Sequence, residues 1–320
     1  MMKRYNSIDL LKFLCSFMVI YIHANIKNQF GSYLYSFCRI AVPIFFMISG
    51  YFLYNSDSKT WSKIKKNLNL LIFSEIFYIL FEIIKIPFKK SSFTLIFNNL
   101  FNIKFFLTNI GEIGGHLWFV RALIYVYIIH AVFKKLKISE KKILILCMVI
   151  SIVDPFLFKY LPVILSKSFN IDIAEPFSKF IGTAFVSFYL GYFSNIYFSF
   201  SKKTNIFLCC MLFALNILEI LIMNDKNHLF NFITTIPFAF SVFLVFKNLN
   251  IRENLFSKIG KLYSGDIYIY HIFILSILNI IFANYFNIYM YFRALLVMVF
   301  TIFFVVIIRN IKKRRCEKYV

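Results

Sequence analysis

The stretch IDLLKFLCSFMVIYIHANI, residues 8–26, decides the fold class of this chain. An α-helix needs about 20 mostly apolar residues to cross the hydrocarbon core of a membrane. The polar exceptions Asp9, Lys12, Ser16 and His23 recur at spacings that place them on one side of a helix. The stretch therefore predicts a membrane-spanning helix with one polar side.

Stretches of this kind recur along the whole chain. The chain has 320 residues, of which 60% are hydrophobic and 16% charged, whereas about a quarter of the residues are charged in an ordinary globular domain. We therefore predict an all-α, polytopic transmembrane helix bundle that forms one integral-membrane domain over residues 1–320, with no soluble domain and with the first helix retained. The ten predicted spans are residues 8–26, 37–54, 68–86, 116–133, 143–158, 180–198, 206–223, 229–246, 265–286 and 291–309.

The basic residues follow the predicted loops. The chain has 36 Lys and Arg against 14 Asp and Glu, a net charge of +22, which also suits a nucleic-acid partner. However, 22 of the 36 lie in loops on the side of the N-terminus and 8 in loops on the other side. The positive-inside rule then places both termini in the cytoplasm of a multi-pass protein, and attraction to anionic lipids explains the excess without nucleic acid. The basic residues left within the spans are Lys12, Lys85, Arg39, Arg121, Arg293 and Arg309.

Ionisable side chains inside spans are costly, and this makes them functional candidates. In the first helix, Lys12 and His23 belong to the polar stripe; the alternative is that Lys12 snorkels to the headgroups and His23 is a lone interfacial histidine. Arg39 lies near the predicted outer face, where snorkelling is again the alternative. His116 is predicted at the same level, so that three groups from three helices would meet in the outer leaflet.

The remaining candidate site residues also have structural explanations that need no function. Glu82 and Lys85, three residues apart, are expected to neutralise each other, whereas Glu75 lies deeper and needs either a partner from another helix or a shifted pKa. Trp118 is also what an aromatic belt at the membrane surface supplies. His130 is interpreted as a snorkelling residue near the inner end of its helix. His271 is placed about 9 Å inside the cytoplasmic boundary of the ninth span.

Several short motifs, in this order, resemble acyltransferase family 3, a family of integral membrane proteins that modify cell-envelope sugars and related acceptors. They are IDLLK at residues 8–12 with His23, RIAVPIFFMISGY at 39–51, HLWF at 116–119 and IYH at 269–271. The second and third motifs also resemble the membrane domain of vancomycin-resistance serine racemases. Those proteins carry an additional soluble domain, so we expect no racemase activity here.

The resemblance implies an O-acyltransferase that takes an acyl group from cytoplasmic acyl-CoA, most simply acetyl-CoA, to a hydroxyl on a cell-envelope glycan. It implies His23 as general base, with Arg39 and His116 orienting the acceptor or stabilising the oxyanion. Lys12, where the family has arginine, and His271 would bind the donor. Trp118 and Glu75 are assigned to substrate binding. No metal and no tightly bound cofactor are expected, and the location is the bacterial plasma membrane.

Two other functions suit the same sequence. One is a transporter or exporter of an amino acid such as serine, or of a glycan intermediate, that uses the interior charges Glu75, Glu82 and Glu219. The other is a subunit that is inert without a partner protein. The sequence is compatible with a homo-oligomer. It does not identify the acceptor.

Overall fold

The computed structural model describes residues 5–54, 56–88, 92–100, 113–162, 171–223 and 231–317. Every regular element in these ranges is helical, so the all-α fold class is confirmed. The α-helices are α1 (Asn6–His23), α2 (Gln29–Cys38), α3 (Ala41–Tyr54), α4 (Thr60–Lys85), α5 (Phe93–Leu100), α6 (Trp118–Lys135), α7 (Glu140–Pro155), α8 (Ile171–Phe177), α9 (Val186–Phe193), α10 (Lys202–Met223), α11 (Thr235–Asn248), α12 (Leu255–Ile281) and α13 (Phe286–Glu317).

Many of these helices suit a lipid environment. Eight helical segments in the described ranges are long and apolar enough to cross a membrane, and α11 is a shorter apolar helix. On α10, Phe207 and Ile222 are 68% and 78% exposed, and a continuous apolar surface of this kind requires hydrocarbon as its surroundings. The polytopic bundle is thus confirmed. With eight candidate spans and one shorter apolar helix in the described residues, the count of ten spans stays a prediction, and so do the cytoplasmic termini. Residues 1–4 and 318–320 lie outside the described residues.

The chain divides into two compact units, of which unit 1 comprises Met1–Phe45 and Phe200–Val320. Its centre is the pair α1 and α12, which lie side by side in the same chain direction. Near the start of α1, the Asn6 side chain donates to the Ile251 carbonyl (3.2 Å). Gly260 of α12 allows a close approach, because a Cβ there would lie 2.8 Å from the Phe13 amide nitrogen. The two backbones are therefore held at fixed register over their length.

Helix α12 begins ten residues before the predicted span. Its start is a capping box, in which Asn254 Oδ1 accepts from the Ser257 amide and Ser257 Oγ accepts from the Asn254 amide, each at 2.9 Å. A first turn capped in this way is stable although it is polar. His271 therefore lies sixteen residues into the helix, about 24 Å along its axis.

Unit 2 comprises Phe46–Ser199. Within it, α4 packs on α6, and α7 packs on α9 and on the π-helical segment Ser178–Phe185 that precedes α9. The backbones of α3 and α9 approach closely at two glycines: a Cβ on Gly50 would lie 2.9 Å from the Tyr192 nitrogen, and one on Gly191 would lie 2.5 Å from Met47. Small residues at a helix crossing of this kind are typical of membrane bundles.

Candidate active site

His23 is the last residue of α1, and its exposed imidazole lies against His271 of α12. The ring centroids are 5.2 Å apart and the planes make an angle of 49°. His271 is fully buried, and its Nδ1 lies 2.8 Å from the Tyr268 carbonyl and 3.1 Å from the Ile267 carbonyl. Since carbonyl oxygens only accept hydrogen bonds, Nδ1 carries the proton and Nε2 holds a lone pair. An accessible imidazole thus packs on a second one whose tautomer is fixed.

The position of His271 differs from the one expected near the donor side. In the structure it lies at the His23 end of α1 because α12 starts ten residues earlier than hydropathy indicated. Lys12 lies towards the other end, eleven residues or about 16 Å from His23 along the helix. Its ammonium is 2.7 Å from Asp9 Oδ1. The structure therefore separates Lys12 from the histidine pair.

Arg293 of α13 is a buried cation at the His23 end of unit 1. It is 6% exposed, and its Nη2 donates to the carbonyl of Asn25, two residues beyond His23, at 2.6 Å. The guanidinium also lies 5.8 Å from the centre of the Phe286 ring. Within the described part of the chain, no carboxylate lies at ion-pair distance from it. Arg293 is thus a buried positive charge whose direct polar contact is an uncharged oxygen.

Arg39 follows the last residue of α2 and is half-buried. Its Nη2 donates to Oδ1 of the buried Asn231 at 3.1 Å. The other four cations of the predicted spans contact carboxylates; the ion pairs are Lys12 with Asp9, Lys85 with Glu82, Arg121 with Glu75, and Arg309 with Asp266.

His116 and Trp118 belong to unit 2. Gly114 has a φ of +59°, a left-handed conformation that glycine adopts without strain, and it turns the chain into the short helical turn Gly115–Leu117. His116 is 7% exposed, with its ring edge-on to Tyr78 at 4.8 Å. Trp118 begins α6 and has the Lys179 ammonium 5.3 Å from its ring. Both side chains are therefore held by aromatic and cation–π contacts.

The interior carboxylates each have a partner. Glu75 forms an ion pair with Arg121 of α6, and a partner from another helix was one of the two outcomes expected for it. Glu82 contacts Lys85 at 2.6 Å, as the spacing predicted. Glu219 accepts hydrogen bonds from the Ile233 and Thr234 amides at 3.0 Å each, ahead of the first turn of α11. The charges that suited a transporter thus stabilise helix contacts and a helix start.

Sequence reasoning missed two residues. His130 is not a snorkelling end residue: it is 2% exposed, with Nε2 3.2 Å from Asp57 Oδ1 and Nδ1 3.3 Å from the Tyr189 hydroxyl. Arg293 is a basic residue within a predicted span, and the sequence alone assigns no role to it. In both cases, an ionisable residue inside an apolar stretch was the sequence feature that indicated a buried, partnered side chain.

In unit 1, a helical membrane bundle therefore combines an accessible histidine, a second histidine of fixed tautomer and a buried arginine. In enzymes, a histidine can accept a proton and an arginine can stabilise negative charge in the transition state. This defines the chain as a polytopic membrane protein with an enzyme-like site. Residues 5–309 match the family model of an acyltransferase domain, and the chain belongs to acyltransferase family 3.

Family membership makes the protein a membrane acyltransferase, an enzyme that transfers an acyl group, other than an aminoacyl group, from a donor to an acceptor at the lipid bilayer. No curated protein and no solved structure gives a significant match. The resemblance to the serine racemase membrane domain is not part of what the family match shows.

Proposed function

We propose that this acyltransferase moves an acetyl group from cytoplasmic acetyl-CoA to a hydroxyl of a cell-envelope glycan or a related acceptor, in the bacterial plasma membrane. The observation that carries the proposal is the packing of the accessible His23 on His271, with Arg293 bound two residues away. Histidine is the side chain best suited to accept a proton near neutral pH.

In the proposed reaction, His23 accepts the proton of the acceptor hydroxyl while the hydroxyl oxygen attacks the thioester carbonyl. The carbon–sulfur bond then breaks, and the CoA thiolate leaves and takes the proton from His23. The ester of the acceptor and free CoA are the products, and no metal or additional cofactor is required. His271, held by two backbone carbonyls, fixes the orientation of the His23 ring through their contact.

Negative charge develops on the thioester oxygen during the attack. We assign Arg293 to its stabilisation because the guanidinium is buried and no carboxylate in the described residues neutralises it. A donor fixed in advance in a site of low polarity stabilises such charge strongly. Arg39 is assigned to the acceptor, and Lys12 to the CoA phosphates. The roles of His116, Trp118 and Glu75 in acceptor binding stay predictions.

The test measures release of free CoA by inverted membrane vesicles that contain the full chain, with isolated envelope glycans enclosed in the vesicles and acetyl-CoA supplied outside. His23→Ala should lower acceptor-dependent CoA release by about 10²–10⁴-fold, the usual contribution of a general base. Arg293→Gln should lower it by about 10²–10³-fold, with partial recovery in Arg293→Lys. Gln29→Ala, an exposed change near the same end of unit 1, should leave the rate unchanged.

The amount of protein in the membrane is measured for each variant, so that loss of the enzyme is not mistaken for loss of catalysis. Full activity in His23→Ala would contradict the base assignment. Glycan transport into vesicles without acetyl-CoA, and with no release of CoA, would contradict acyl transfer and favour the transporter. Mass spectrometry of the glycans, from cells with and without the gene, then identifies the modified hydroxyl.

A further inference from the structure

A cavity of about 350 Å³ lies in unit 2 where α6 ends and α7 begins. Pockets that bind small molecules usually measure about 300–1,000 Å³, so this cavity has room for a small headgroup and part of an acyl chain. Its walls include Phe133, Lys134, Lys137, Ile143, Tyr189 and Phe193. The wall therefore combines aromatic and aliphatic side chains with two lysine side chains, and this composition suits an amphiphile.

The charge around the cavity favours an anion. Five lysines lie at this helix connection, at positions 134, 135, 137, 141 and 142. The nearby carboxylates are fewer: Lys134 lies 3.0 Å from Asp57 and 3.7 Å from Glu140, and Glu140 also lines the cavity. Lys137 also lines the cavity, and in the described residues it has neither an ion pair nor a side-chain hydrogen bond. A positive excess of this kind attracts anionic headgroups.

The backbone of Lys137 supports a ligand-binding role. Its φ is 51°, the one positive value at a non-glycine residue in the described part of the chain. The Ile138 amide donates to the Phe133 carbonyl at 3.0 Å, the bond of a helix end that glycine normally forms. A lysine in this conformation is strained, and strained residues of this kind are found mainly at functional sites.

The wall behind the cavity is fixed by a chain of polar contacts. Tyr192 donates its hydroxyl proton to Asp57 Oδ2 at 2.8 Å, while Asp57 Oδ1 lies 3.2 Å from His130 Nε2. The Tyr189 hydroxyl lies 3.3 Å from His130 Nδ1. These bonds join three helical elements of unit 2. The cavity is therefore formed in advance and does not need a ligand to open it.

We propose that this cavity binds one anionic phospholipid, with the phosphate at Lys137 and Lys134 and part of one acyl chain against Phe133, Ile143 and Phe193. This site is separate from the groups assigned to acyl transfer, and it goes beyond the proposed function. On the topology predicted from the basic loops, the headgroup belongs to the cytoplasmic leaflet, where anionic lipids are abundant.

Binding is tested with the full chain purified in dodecyl maltoside and analysed by native mass spectrometry. The probes are dioleoyl phosphatidylglycerol, dioleoyl phosphatidylcholine with the same chains, inorganic phosphate and acetyl-CoA. The proposal expects one tightly held phosphatidylglycerol. Lys137→Asn should weaken it about five-fold, the effect of one lysine near a headgroup. Asparagine tolerates the same backbone conformation. Lys135→Asn, two positions earlier in the chain and outside the cavity wall, should change the affinity for phosphatidylglycerol less than two-fold.

Lys137→Gly separates binding from folding. Glycine suits the backbone at this position, so this variant should have a higher melting temperature than the native chain and still lose phosphatidylglycerol. Equal losses in Lys137→Asn and Lys135→Asn would show general charge attraction and overturn the proposal. Equal binding of phosphatidylcholine, or displacement of the lipid by acetyl-CoA or by inorganic phosphate, would also overturn it. None of these readouts depends on acyl transfer.

Discussion

Replacing Gly260 with alanine should damage the site more than the fold. A Cβ at this position would lie 2.8 Å from the Phe13 nitrogen and closer still to the Asp9 carbonyl, whereas ordinary contact begins at 3.4 Å. Since both neighbours are backbone atoms, α1 and α12 must separate by about 0.6 Å or more. Overpacking of this kind costs about 1–3 kcal/mol of stability. The same separation displaces His23 from His271, and misplacement by about 1 Å can lower a rate about 10²-fold.

Gly265→Ala is the matched control, because it changes the same helix at a position where a Cβ meets nothing within 4 Å. Its thermal midpoint in detergent should stay equal or rise, since alanine favours helix over glycine by up to about 1 kcal/mol. Both variants are compared by thermal unfolding and by acceptor-dependent CoA release. If Gly260→Ala matches Gly265→Ala in both measurements, the close approach of α1 and α12 does not hold the histidine pair in place.

Two further predictions concern the half-buried carboxylates Glu75 and Glu219. Arg121→Leu should lower the free energy of unfolding by about 3–5 kcal/mol, because Glu75 loses its charged partner. The double variant Glu75→Leu, Arg121→Leu should recover most of this stability. A double variant as unstable as the single one would contradict the argument from the ion pair. Glu219→Gln should lower the free energy of unfolding by about 1–2 kcal/mol, and with it the thermal midpoint, because the charge near the start of α11 is lost. An unchanged midpoint would show that the neutral glutamine side chain stabilises the start of α11 as well as the carboxylate does, which would contradict the prediction.

The helices were predictable because apolar length and periodicity depend only on neighbouring residues. Each of the ten predicted spans overlaps a described helix. The largest error lay at the start of α12, where Lys258 and Lys261 precede the apolar stretch that begins near Gly265. Hydropathy places the boundary where polarity changes, but a capped helix continues beyond it. Asn254, with Ser257 three residues later, was the sequence signal for the true start.

The partners of the site residues were harder to predict, since they depend on which helices meet. The sequence indicated a partner for Glu75 as one of two outcomes but did not name Arg121, which lies 46 positions away. His271 is a predicted site residue, but its contact with His23 was not predicted, because α12 starts ten residues before the apolar stretch. Asp57 precedes the apolar part of α4, so nothing in its own surroundings indicated a contact with His130, 73 positions along the chain.

The partners of the membrane cations bear directly on catalysis. A carboxylate beside a buried arginine would neutralise its charge before the reaction and lower its value for a developing oxyanion. Arg121 and Arg309 have such partners, Glu75 and Asp266, and this favours a structural role for them. Arg293 is bound by the Asn25 carbonyl, which fixes its position without cancelling its charge. A buried cation held in this way is costly in a membrane, and ionisable residues retained there at such a cost usually serve a function. Its position just beyond His23 therefore supports its assignment to the transition state rather than to folding.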